Sequence, residues 1–203
     1  MTEATAASKV PELRRERILR ASVEVIRDRG FSGARVSDIA EAAGTSQGLV
    51  LYHFGSLAQV LAEALTLLED EYYEELDHDV LGGGTPRDRL RHIAESLPGR
   101  GPTVGEWRLW LEIWVHALRD EDARATRETL DRRWRASLRA LVAQGVESGD
   151  FNPLDIDASV ARLTALMDGL AIQLALDDPS MTPERFTDLW WGAACSELRM
   201  DGA

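Results

Sequence analysis

Apolar residues recur at helical spacing along most of this chain, and glycine and proline cut the pattern into segments. Ile18, Ala21, Ser22, Val25 and Ile26 share one face of a segment over 12–29, which Gly30 stops. Val36, Ile39, Ala40 and Ala43 point inward from a short helix over 36–43, ended by Gly44. A third helix is predicted over 47–53. A fourth runs from about Ser56 to Asp79, with Leu57, Val60, Leu61, Ala64, Leu65 and Leu68 as its buried stripe. Breaks at 82–87, 98–105, 149–155 and 177–183 separate five more helices, over about 87–97, 105–119, 121–149, 155–176 and 183–199. No run alternates Val, Ile or Thr as a strand would. The expected fold class is all-α, about nine helices, with an N-terminal three-helix head and a C-terminal helical body.

Charge divides the chain in the same place. The whole carries −12, which taken alone argues against a nucleic-acid partner. Residues 1–56 hold eight Lys/Arg against seven Asp/Glu, a net +1, which leaves −13 for 57–203. Arg14, Arg15, Arg17 and Arg20 cluster at the start of the first helix, as a solvated face or as a phosphate-facing one. A single cysteine, Cys195, rules out an intrachain disulfide and a Cys-rich zinc site, and reads as a small core or interface residue. Residues 1–11 lack a signal-peptide core and read as a disordered tail; no apolar run is long enough for a membrane span. A cytoplasmic protein is expected, with no membrane partner.

The stretch 30–56, GFSGARVSDIAEAAGTSQGLVLYHFGS, reads as two short helices around a tight turn. That is the layout of a helix-turn-helix, whose second helix enters the major groove. Ala40 is small where the helices cross, and Gly44 allows the left-handed backbone of the turn. Ser46 is placed to cap the second helix, whose N-terminus also suits a phosphate. Gln47 suits a base edge, adenine above all. Gly48 lets the backbone approach DNA, Tyr52 and His53 offer donors to phosphate, and Phe54 anchors the next turn.

The pattern G-F-x(7)-I-A-x-A-A-G-x-S-x-G-x(4)-H-F-G-S, within residues 12–61, resembles the DNA-binding head of TetR-family transcriptional regulators. The resemblance implies three head helices, a fourth linking head to body, and a last pair that dimerises. It also implies a domain plan: a helix-turn-helix over 12–56 and an effector-binding and dimerisation domain over 57–203. Several positions depart from the family pattern. Ala34 and Arg35 stand where many members carry Thr or Ser, Gln47 and Leu57 where lysines are frequent, and Leu49 and Leu51 where Thr and Tyr are frequent. DNA contacts are therefore expected from Arg35, Ser37, Ser46, Gln47, Gly48, Leu49, Tyr52 and His53. Fewer cations predict a shallow salt dependence, at roughly 0.9 per phosphate neutralised.

The body holds all six tryptophans. Trp107, Leu111, Trp114 and Leu118 fall within roughly 60° of one another on a helical wheel, flanked by Trp110. Asp168 interrupts the apolar run LTALMDGLAIQLAL, and a buried carboxylate there needs a partner. Rings and carboxylates together suit a cationic or amphipathic effector. Residues 107–176 more loosely resemble the BetI-like branch of the family, whose prototype responds to choline. Trp107, Trp110, Trp114, Trp134, Met167 and Asp168 are the candidate effector residues; a core stripe is the plainer alternative. Leu163, Met167, Leu170, Leu174, Leu189, Trp190 and Ala193 are the candidate dimer interface, on an isologous four-helix seam.

The expected function is a homodimeric, ligand-responsive repressor. It would be released by a small molecule from a pseudo-palindromic double-stranded operator. The alternative is a helical protein-interaction module with a degenerate DNA-binding head. No enzyme is expected: His53, His78, His92 and His116 are scattered, and no phosphate-cradling loop, metal set or cofactor motif occurs.

Overall fold

The structure, a computed structural model, describes residues 3–30, 33–60, 84–98 and 104–200, with 62–64, 66–67, 70–71 and 74 between them. Its elements are α1 (Glu3–Arg29), α2 (Val36–Ala42), α3 (Gln47–Phe54), α5 (Pro86–Ser96), α6 (Val104–Ala117), α7 (Glu121–Ser148), α8 (Ile156–Ala175) and α9 (Pro183–Glu197). Between α3 and α5, α4 opens at 57, and every described position up to 74 is helical. Among the described residues there is no strand. Leu61, Leu65 and Leu68, the fourth helix beyond 74, and residues 99–103 of the predicted break lie outside the described residues.

One boundary is corrected. Residues 3–11, expected as part of a tail, continue α1. Their composition, EATAASKVP, has three alanines, a glutamate and a lysine, all good helix formers. These offset the lost hydrogen bond and the crowding of the preceding turn that Pro11 brings.

The chain divides into two compact units. Unit one is Met1–Glu71 with Arg108–Arg127; unit two is Tyr72–Trp107 with Glu128–Ala203. The expected division at 56/57 therefore falls inside unit one. Spacing of apolar residues locates helices but not which helices assemble together, so the α6–α7 turn could not be placed with the head.

In unit one, α1 buries Ile18, Leu19, Ser22, Val23, Val25 and Ile26, and the Ser22 hydroxyl donates to the Ile18 carbonyl at 2.7 Å. α2 adds Ile39 and Ala40, α3 adds Val50 and Phe54, and α4 adds Val60, Ala62 and Ala64. At the start of α2 the Asp38 carboxylate accepts from the Arg35 N–H at 3.1 Å. The reciprocal side-chain cap is missing because a guanidinium has no acceptor. Gly44, at φ +59°, ends α2: its N–H reaches the Glu41 carbonyl at 3.0 Å, and Thr45 reaches Ala40 at 2.8 Å. This pair of bonds is a Schellman stop, and it fixes the turn into α3.

In unit two, α5, α7, α8 and α9 enclose one core with Trp134, Leu138, Leu163, Met167, Leu170, Phe186 and Trp190 among its members. The helices begin on side-chain caps. Thr85 and Asp88 form a reciprocal box at α5, Asp155 caps α8 at 3.0 Å, and Thr182 caps α9 at 3.2 Å. A Cβ on Gly145 would lie 2.0 Å from the Phe151 ring, so the glycine makes room for the buried aromatic of the α7–α8 turn.

Candidate nucleic-acid interface

Ser46 starts α3. Its hydroxyl oxygen accepts from the Leu49 N–H at 3.2 Å, the expected cap. Val50 and Phe54, one turn apart, turn inward. That orientation leaves Gln47, Gly48, Leu51 and Tyr52 along the outer strip, all exposed, with Tyr52 at 82%. Positions i, i+1, i+4 and i+5 share a face. The strip is therefore a direct consequence of which two residues the core takes.

Gly48 is informative within it. A Cβ there would meet nothing closer than the Ser46 hydroxyl at 4.0 Å. Nothing inside the chain calls for glycine at a helical position where alanine is better by about 1 kcal/mol. His53 is half-buried in the last turn, its ring 5.4 Å from that of Tyr52. Arg35 is exposed with no ion-pair partner among the described residues, and Ser37 is half-buried.

Six of the eight expected contacts thus lie on or beside the exposed side of the α2–α3 pair. Leu49 and His53, one turn apart on the same side of α3, are the exceptions: both are half-buried and off the strip, while Leu51, which sequence reasoning left out, is 43% exposed on it. The missed signal was the i+4 spacing from Gln47. Three of the α1 arginines are engaged within the chain. Arg15 pairs with Glu63 and Arg20 with Glu71 at 2.7 Å, both on α4, while Arg29 pairs with Asp38 at 2.9 Å.

The expected effector residues divide between the two units. Trp110 and Trp114, half-buried with ring centres 6.3 Å apart, belong to unit one. Trp107, Trp134, Met167 and Asp168 belong to unit two. Trp107 donates its indole N–H to the Leu97 carbonyl at 2.8 Å and packs on Phe186, a core role. Trp134 and Met167 are buried in the same core. Asp168 is engaged, as a carboxylate in that apolar run requires, but it is half-buried where the run suggested full burial. The next turns of α8 leave its face partly open. Two buried polar atoms here lack a partner, the Trp134 indole nitrogen and the Thr164 hydroxyl.

The expected dimer face is also corrected. Leu163, Met167, Leu170, Leu174 and Trp190 are buried within the chain itself. Of the seven, only Leu189 and Ala193 keep accessible surface. Two amphipathic helices that pack together bury their strongest stripes on each other, and periodicity cannot tell that contact from one with a copy. The apolar and small residues that α8 and α9 leave outside include Ala161, Ala165, Ile172 and Leu176 on α8 and its end, and Leu189 and Gly192 on α9, beside polar residues such as Arg162, Gln173 and Asp188. Cys195 is buried, and burial pushes its thiol pKa up. Among the described residues no group of His, Cys, Asp or Glu could hold a metal, and no helix is long and apolar enough to cross a membrane.

Residues 18–64 match the N-terminal domain of the bacterial regulatory proteins of the tetR family, and residues 86–190 match the C-terminal domain of BetI-type transcriptional repressors. The chain belongs to the TetR family of transcriptional regulators. As a member it is a DNA-binding, ligand-responsive regulator, and the reading as an interaction module with a degenerate head is not favoured.

Similarity extends over both units. The regulator BetI of Agrobacterium fabrum is 30% identical over 166 residues, 81% of this chain and 78% of that protein. The regulator PksA of Bacillus subtilis is 28% identical over 177 residues, 86% of this chain and 84% of it. A solved structure of a transcriptional regulator from Saccharomonospora viridis in complex with choline superposes with a TM-score of 0.79 at 28% identity. It covers 88% of this chain and 93% of its own.

Proposed function

We propose that this TetR-family protein is a cytoplasmic homodimeric repressor, not an enzyme. It binds a pseudo-palindromic operator through the exposed strip of α3 and leaves it when a small molecule binds the body. The observation that carries this reading is the strip itself: a capped helix N-terminus, then Gln47, Gly48, Leu51 and Tyr52, with space beside Gly48 that only an outside partner would use. Arg35, Ser37, Ser46 and His53 flank it and supply phosphate contacts, and Leu49 supports the helix from behind. Two copies of one head, one helical turn of DNA apart, read a site that a single head cannot.

The dimer forms through the outer faces of α8 and α9, where small and apolar side chains lie open: Ala161, Ala165, Ile172, Leu189 and Ala193. An isologous contact needs such a self-complementary surface. The inner stripes supply the core on which that surface rests.

The effector is a cationic or amphipathic small molecule. Support comes from the BetI-type C-terminal domain and from the choline complex of the Saccharomonospora viridis protein. The Trp134 indole N–H and the Thr164 hydroxyl add a requirement, since buried donors without partners are costly. A ligand that reached either of them would need an acceptor oxygen as well as a cation. Binding shifts the population toward a state in which α4 and the heads no longer match successive major grooves.

Gel shifts at several salt concentrations, on duplexes selected from a random library, test the DNA reading. Saturable binding to an inverted repeat is expected, and its absence at low salt overturns it. Calorimetry with choline, betaine and polyamines tests the effector class. Heat with at least one amine is expected; saturable binding of an uncharged lipophile and none of any amine overturns it.

A further inference from the structure

One side chain of unit one touches three of its helices. Arg15 lies on α1, its guanidinium 5.1 Å from the centre of the Phe54 ring, and Phe54 is the last residue of α3. The same guanidinium pairs with the Glu63 carboxylate on α4. Glu63 is oriented from its own helix as well, since its other oxygen accepts from the Gln59 side-chain amide at 3.3 Å.

A second link lies two turns along α4. Glu71 pairs with Arg20 at 2.7 Å, and Arg20 is also held by Glu16 of α1 at 3.0 Å. At this level Arg17, Arg20, Val23, Leu67 and Glu71 line a surface groove of about 360 Å³. The long side chains of Arg20 and Glu71 bridge α1 and α4 here. At the other end Phe54 is 4% exposed, fixed in the core with Val50. It moves only as α3 moves.

We propose that Arg15 is a positioning residue for operator binding, tying the C-terminal end of α3 to α4 through the chain of contacts Phe54–Arg15–Glu63. The inference rests on the reading of α3 as the DNA-reading helix. It makes the α1 arginine an internal strap and not a phosphate ligand. A displacement of α4 reaches α3 through this strap, because the guanidinium holds a face of one helix and a carboxylate of the other. Glu63→Gln keeps the shape of the acceptor and removes its charge. Arg15→Met keeps the apolar stem and removes the charge, and with it both the ion pair and the cation–π attraction. Arg15→Lys retains a cation over the ring.

The test uses the full-length chain and the duplex it selects from a random library. Glu63→Gln and Arg15→Met are expected to weaken duplex binding by roughly fivefold with an unchanged salt slope, and Arg15→Lys to recover most of it. Hydrogen exchange of the α3 amides in the free protein is expected to speed up by roughly threefold in the first two variants, with α8 and α9 unchanged. A merely structural loss would quicken exchange throughout. Tighter binding of Glu63→Gln with a salt slope steeper by about 0.9 would mean that the mutation freed a phosphate ligand, and would overturn the proposal. Unchanged α3 exchange in both variants would overturn it too. If the wild-type chain selects no duplex, the DNA reading fails, and α3 exchange alone still decides whether the strap exists.

Discussion

The indole N–H of Trp190 on α9 donates to the main-chain carbonyl of Leu163 on α8 across 3.1 Å, and both residues are essentially without solvent contact. The bond joins the two helices within one chain, at the place where the sequence suggested a seam between copies. Trp190→Phe removes the donor and part of the ring. It is expected to lower unfolding stability by about 1–3 kcal/mol in urea titration. Its oligomeric state at matched folded concentration is expected to be that of the wild type. Dissociation of the folded variant would return Trp190 to the interface.

The outer face behaves differently. Leu189 is 41% exposed and Ile172 is 36% exposed, and a Cβ added at Gly169 or Gly192 would meet nothing within 4 Å. The double variant Ile172→Glu, Leu189→Arg is expected to remain helical and to sediment as a monomer at micromolar concentration. A dimer that persists in this variant would place the contact elsewhere.

Acid should loosen the α8–α9 pair. The Arg162 guanidinium and the Ser159 hydroxyl hold the Glu197 carboxyl below its ordinary value of 4.5. The folded chain therefore binds fewer protons here than the unfolded one. The stabilisation is complete above about pH 4.5 and is lost as pH falls through the lower, folded value. Melting temperature against pH should show a shallower acid limb in Glu197→Gln than in the wild type. Parallel limbs would mean that this carboxylate contributes nothing to acid sensitivity.

The helices were legible in the sequence because their ends are chemical. Gly30 and Gly44 stop α1 and α2 at positive φ, and Ser46, Asp155 and Thr182 cap the helices they precede. The outer strip of α3 was partly legible: Gln47, Gly48 and Tyr52 were found, while Leu51, one turn on from Gln47, was left out and Leu49 included. Which copy of an apolar stripe faces which partner was not legible. Leu163 and Trp190 carry the same pattern whether they meet their own chain or another. Nor could spacing show that Arg15 would lie over Phe54, because the two are brought together by the packing of α1 on the turn after α3 and not by any local repeat. Gly145 carried no signal either; only the position of Phe151 explains it.

The central claim is that the exposed strip of α3 reads DNA, and one measurement tests it most directly. Duplex affinity is measured by fluorescence anisotropy, at fixed salt, for the wild type and for Gln47→Ala and Tyr52→Ala, with melting temperatures recorded beside it. Each variant is expected to lose about 1–3 kcal/mol of binding while melting as the wild type does, since neither side chain belongs to the core. Wild-type affinity in both variants would contradict the account.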